Sequence, residues 1–322
     1  MGRMRCAVAL CIVACASTAL AEPYPARPIR MIVTFPPGGS TDVIARAIQP
    51  SVEKHLGQPL IIENRPGGGG NIGVDAVAKA APDGYTIGLA AAGALTINVS
   101  LNEKTSYDPL KDLTAITKIG ESPFILAAHP SFPGNSTADV VALAKATTPG
   151  GLNIGHGGNG TAMHLTAELF SHMAGVKLTL VPYRGTGPVV SDLLAGHVPL
   201  GIVDAPSALT QIRAGQIKAI AVTSLRRTAQ LPDVPTLAEA DLPGYESIGW
   251  YGIIAPAGVP AEIVARLNAA FVATLQEGEI AQRIRAVGSD PAPTTPAEFA
   301  AYISREIAKW SAVIGRSGVR GN

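Results

Sequence analysis

No cysteine occurs after residue 15: the three in the 322-residue chain are Cys6, Cys11 and Cys15. The rest of the chain therefore has no disulfide, thiol nucleophile or thiolate metal ligand, and it must fold by burial alone. Charge of one sign is also lacking. With Arg3 and Arg5 set aside, 23 basic residues face 24 acidic ones, which leaves no basic field to hold nucleic acid or an anionic membrane. Aromatic residues make up 5%, few for stacking on sugar faces. No apolar run reaches the ~20 residues of a membrane-spanning helix. A G-x-S-x-G elbow is absent and no serine stands beside an evident base, so nucleophilic catalysis has little support.

The amino terminus reads as an export signal. Arg3 and Arg5 precede an apolar stretch from Cys6 to Ala16, and small residues end at Ala19-Leu20-Ala21, with cleavage expected after Ala21. Lipidation at Cys15 is the alternative, disfavoured by the short apolar stretch before it. The remaining 301 residues, 22–322, are near the size at which one core divides into two.

From Tyr24 onward short apolar strands alternate with amphipathic helices, the rhythm of a parallel sheet covered on both faces. Ile44, Ile48, Val52 and Leu56 mark one face of a first helix that Gly57 ends and Pro50 is expected to kink. Thr114 to Ile119 and Phe124 to Ala128 read as two successive strands, separated at Ser122-Pro123, where the chain leaves one domain for another. A second set of units fills the chain to Ala240, and a long strand from Tyr245 to Ala255 returns. The expected fold is α/β with two Rossmann-like domains: 22–122 with 246–322, and 123–245. Thr295-Pro296-Ala297-Glu298 is a capping box that opens a C-terminal helix.

Two glycine loops organise the functional reading. Phe35-Pro36-Pro37-Gly38-Gly39-Ser40-Thr41-Asp42 joins the first strand to the first helix, with Ser40 or Thr41 as its cap and Asp42 stabilising its dipole. Gly157-Gly158-Asn159-Gly160-Thr161 does the same in the second half. Free N–H groups at such helix starts attract anions, and in open α/β sheets ligands bind beyond the carboxyl ends of the strands. The two loops are thus expected to face one cleft. Gly68 to Gly73 and Gly155 to Gly160 also match G-x-G-x-x-G, but neither is followed by the acidic residue a dinucleotide ribose requires, and the first reads better as a turn into a helix. His164 and Glu168 share a helix face, yet two ligands are too few for zinc. His164 either bonds nearby backbone or lines the cleft, and Asp204 either caps the next helix or faces the ligand.

Taken together, Tyr24-Pro25-Ala26-Arg27-Pro28-Ile29, the first glycine loop through Ala45-Arg46, Glu63-Asn64-Arg65-Pro66-Gly67-Gly68 and Pro82-Asp83-Gly84-Tyr85 resemble the exported receptors of tripartite tricarboxylate transporters, the Bug-type receptors. Pro182-Tyr183-Arg184-Gly185, Leu231-Pro232-Asp233-Val234-Pro235-Thr236, Trp250-Tyr251-Gly252 and Ala255-Pro256-Ala257-Gly258 extend the resemblance along the chain. It implies a periplasmic, monomeric Venus-flytrap receptor, a periplasmic binding protein of type II, that is not an enzyme and needs no cofactor or metal. It closes on a small carboxylate and passes it to integral-membrane subunits. By the same resemblance the ligand is held by Phe35, Pro37, Gly38, Gly39, Ser40 and Thr41, and by Ala92 and Asn98 in the loop after the third strand. The second domain adds His156, Gly157, Gly158, Gly160, Thr161 and His164, with Tyr183, Arg184 and Asp204. Arg184 stands where the family often has lysine, and a guanidinium grips a carboxylate bidentately.

Overall fold

The computed structural model describes residues 24–101, 105–240 and 242–317; the expected signal cleavage and Cys15 lie outside them. Ile29, Met31, Ile32 and Val33 of β1 (Ile29–Val33) are fully buried, as a strand covered on both faces requires. Its carboxyl end leads through the first glycine loop into α1 (Ser40–Leu56). Ile44, Ile48, Val52 and Leu56 form the buried face of α1, and Gly57 ends it at φ 76°. Burying each such side chain contributes ~1.5–3 kcal/mol. The helix runs through Pro50 as one element, with Pro50 exposed.

β2 (Leu60–Asn64) and β3 (Thr86–Ala91) flank β1 in parallel, with α2 (Asn71–Ala78) between them in sequence. The glycines before α2 form a tight turn, the plainer of the two readings. After β3 a wide helical turn, Gly93–Ile97, passes into α3 (Asn98–Leu101).

β4 (Leu113–Ala128) corrects the expectation of two strands, since it is one strand of 16 residues. Its first part pairs antiparallel with β9 (Ile248–Pro256) down to Pro123 opposite Ile248. From Phe124 on it pairs instead with β7 (Leu200–Asp204) and β8 (Lys218–Val222). Pro123, which lacks an N–H, thus sits where the ladder passes from one partner to the next. Two sheets result, sharing β4. The first has the order β2-β1-β3-β9-β4, with β10 (Asp290–Pro291) on β4; the second is β8-β4-β7-β5-β6, with β5 (Asn153–His156) and β6 (Thr179–Pro182) parallel to β7. We call each sheet with its helices a lobe.

The second lobe carries α4 (Thr137–Ala146), α5 (Ala162–Ala174), α6 (Thr186–Ala195) and α7 (Ala205–Arg213). The first is completed by α8 (Ala261–Gln276), α9 (Gly278–Ala286) and α10 (Pro296–Ser317). The Thr295 capping box forms: Glu298 N–H donates to the Thr295 hydroxyl and Thr295 N–H to the Glu298 carboxylate, at 3.2 and 2.8 Å.

Candidate functional site

A narrow cleft with about 30 Å³ of free space lies between the lobes, room for little more than a water molecule. The first residues of three helices line it: Ser40 of α1, Ala162 of α5 and Thr186 of α6. The first-turn N–H groups of a helix have no partner within it, so three partial positive charges converge here. Phe35, Phe124, Met163 and Trp250 supply apolar walls, and among the described residues no lysine, arginine or histidine lines the cleft.

Asp42 builds the first loop. Its Oδ2 accepts from Gly38 N–H at 3.0 Å and Arg46 Nε at 2.9 Å, and its Oδ1 from the Asn64 amide at 3.0 Å. The same amide donates to the Phe35 carbonyl, also at 3.0 Å. Burial would raise the Asp42 pKa, but these donors outweigh it and hold the carboxyl below its ordinary range. Neither Ser40 nor Thr41 caps α1. The N-cap is Gly39 and no side chain bonds there, because Asp42 takes the Gly38 N–H one turn earlier. Gly38 at φ 78° occupies the left-handed region that the turn requires.

In the second loop Thr161 caps α5, accepting from His164 N–H at 3.2 Å and donating to the Gly158 carbonyl at 2.7 Å. His156 and His164 stack behind the loop with ring centroids 4.8 Å apart. Nδ1 of His164 accepts from Gly160 N–H at 3.3 Å, and Nδ1 of His156 lies 3.3 Å from the Gly158 nitrogen. His164 therefore follows its backbone-bonding reading and is not among the lining residues. Burial, with His164 adjacent, pushes the His156 pKa down to about 3; burial lowers that of His164 as well.

Asp204 takes the capping role. It caps α7, its Oδ1 accepting from Ser207 N–H at 3.3 Å, and it lines the cleft. Its Oδ2 accepts from the Thr186 hydroxyl at 3.1 Å and the Tyr251 hydroxyl at 3.4 Å. Burial pushes its carboxyl up, against the pull of the hydroxyls of Ser40, Ser207 and Thr186.

Of the expected residues, Phe35, Gly39, Ser40, Ala92, Thr161 and Asp204 line the cleft. Pro37 and Gly38 are exposed in the loop before α1, and Thr41 is buried in its first turn. Gly157, Gly158 and Gly160 shape the second loop, with His156 behind it. Asn98 bonds the Asn71 side chain at 2.8 Å and abuts Gly160 at the seam between lobes. Tyr183 bonds Asp192 at 2.7 Å, and Arg184 is exposed; neither is among the residues that line the cleft. Thr186, Met163, Phe124 and Gly249 were not anticipated. Thr186 follows a strand end exactly one residue beyond the Tyr183-Arg184-Gly185 motif, a signal of the kind that marked the other loops. Phe124 and Gly249 lie on the two crossing strands, where only the topology reveals them.

The fold and cleft define a periplasmic binding protein of type II, a solute-binding class and not an enzyme class. Residues 44–319 match the model of the tripartite tricarboxylate transporter family receptor, and the chain belongs to that family of substrate-binding receptors. BugT of Bordetella pertussis is 38% identical over 301 residues, covering 93% of this chain and 92% of BugT. Among solved structures, R. palustris Rpa4515 with adipate superposes with a TM-score of 0.89 at 36% identity, covering 92% of this chain and 99% of that one. MatC (Rpa3494) from Rhodopseudomonas palustris with bound malate gives 0.85 at 34%, covering 90% and 100%.

Proposed function

We propose that this protein captures a small carboxylate between its lobes and delivers it to the integral-membrane subunits of a tripartite tricarboxylate transporter. The observation that carries this reading is the convergence of three helix starts on one cleft, with no cationic side chain in its lining among the described residues. An anion held there is stabilised by backbone dipoles, which a neutral sugar would leave poorly matched. Adipate in Rpa4515 and malate in MatC support a carboxylate as ligand.

In the same reading the domains are 22–122 with 246–322, and 123–245, hinged near 120–125 and 240–250 where the chain crosses between them. The protein acts as a periplasmic monomer after cleavage behind Ala21. Phe35, Gly39, Ser40, Ala92, Thr161 and Asp204 contact the ligand, and Asp42, His156 and His164 hold the loops that do.

Uptake of labelled carboxylates by cells with and without the gene tests the proposal. Loss of uptake of one carboxylate, restored by the intact gene, is expected. Unchanged uptake of every carboxylate the purified protein binds would contradict the transport role and favour a sensory receptor.

A further inference from the structure

Trp250 on β9 lines the cleft and is 1% exposed, yet among the described residues no acceptor meets its indole N–H. Native proteins rarely leave a buried donor unpaired, because it has given up water for nothing. Phe299 and Tyr302 of α10 hold the ring edge-to-face at centroid distances of 5.7 and 5.3 Å, so it is fixed in place. The other polar side chains of the cleft are engaged. The Thr161 hydroxyl donates to Gly158, and those of Thr186 and Tyr251 donate to Asp204. Among the described residues Asp204 supplies the one carboxyl of the lining, and no cation lines the cleft with it.

Building on the receptor reading, we infer that the ligand is a mono- or dicarboxylate with an apolar body, and that the Trp250 N–H donates to an oxygen on it. Trp250 is then a specificity-determining residue. Phe35, Phe124 and Met163 offer the body apolar contact, and the helix starts hold one carboxylate. Every further negative charge would enter a cleft whose lining, among the described residues, supplies no cation to pair with it. A hydroxylated tricarboxylate, with three charges and no apolar body, fits worst.

Titration calorimetry with adipate, benzoate, citrate and glucose, on the wild type and on Trp250→Phe, tests this. Phenylalanine keeps an aromatic ring and removes the N–H. Adipate or benzoate is expected to bind at least tenfold more tightly than citrate, and Trp250→Phe to weaken that ligand roughly tenfold or more. The wild-type indole N–H proton resonance of Trp250 should also move on binding, a readout that does not depend on the variant folding. Citrate as the tightest ligand, or a variant that folds and binds like the wild type, would overturn the inference, as would an unmoved resonance. Should none of the four bind the wild type, the inference fails; the receptor reading fails with it only if no other carboxylate binds either.

Discussion

The His156 and His164 rings are stacked behind the second glycine loop, and His156 is fully buried. Its pKa of about 3 lies well under the ordinary 6.5. Between those values the unfolded chain binds a proton that the folded chain refuses, so stability holds above pH 6.5 and falls as pH drops towards 3. At ~1.4 kcal/mol per pH unit, His156 alone removes about 2 kcal/mol by pH 5. His156→Asn, which keeps an acceptor near Gly158, should therefore lose less melting temperature between pH 7 and pH 5 than the wild type. Equal losses would refute the assignment. At this scale the sequence was informative about which residues gather and less so about their partners. The first glycine loop was readable from its strand, glycines and helix. The role of Asp42 was not, because its partner Asn64 comes from β2, 22 positions along the chain.

Glycines form the seam between the lobes. A Cβ on Gly93, in the turn after β3, would lie 2.8 Å from both the Gly160 carbonyl oxygen and the Thr161 Cα of the other lobe. One on Gly69 would lie 2.5 Å from the Asn159 carbonyl oxygen, and one on Gly185 would meet the Pro36 and Phe35 side chains less closely, at 3.3 and 3.4 Å. Gly93 sits in a helical turn without positive φ, so alanine there suits its own lobe, and helix propensity favours it by about 1 kcal/mol. Gly93→Ala should thus leave the ligand-free melting temperature unchanged or raised while weakening carboxylate binding tenfold or more. Solution scattering should show a larger radius for ligand-saturated Gly93→Ala than for the saturated wild type; identical radii and affinities would show that the seam does not limit closure. The alternation of strands and helices was legible from apolar periodicity, as was the capping box at Thr295. The continuity of β4 was not. Ser122-Pro123 reads locally as a break, and only the change of partners from β9 to β7 and β8 lets one strand run through it.

At the scale of the whole molecule, two sheets share β4, and the carboxyl ends of β1, β5, β6 and β7 deliver their loops to one cleft. The pairing of two glycine loops across that cleft was foreseeable from the strand-loop-helix echo. The wall contributed by Phe124 was not assigned to the site, since it lies on a strand that crosses between lobes. The central claim is that this cleft binds a carboxylate. It is tested most directly by the melting temperature of the purified protein against a panel of mono-, di- and tricarboxylates, acidic amino acids and sugars. A ligand at a hundred times its dissociation constant adds ~2.7 kcal/mol, a rise of roughly 5 °C or more for a chain of this size. That rise is expected with at least one carboxylate and with no sugar; a rise with sugars alone would mean that the cleft is not a carboxylate site.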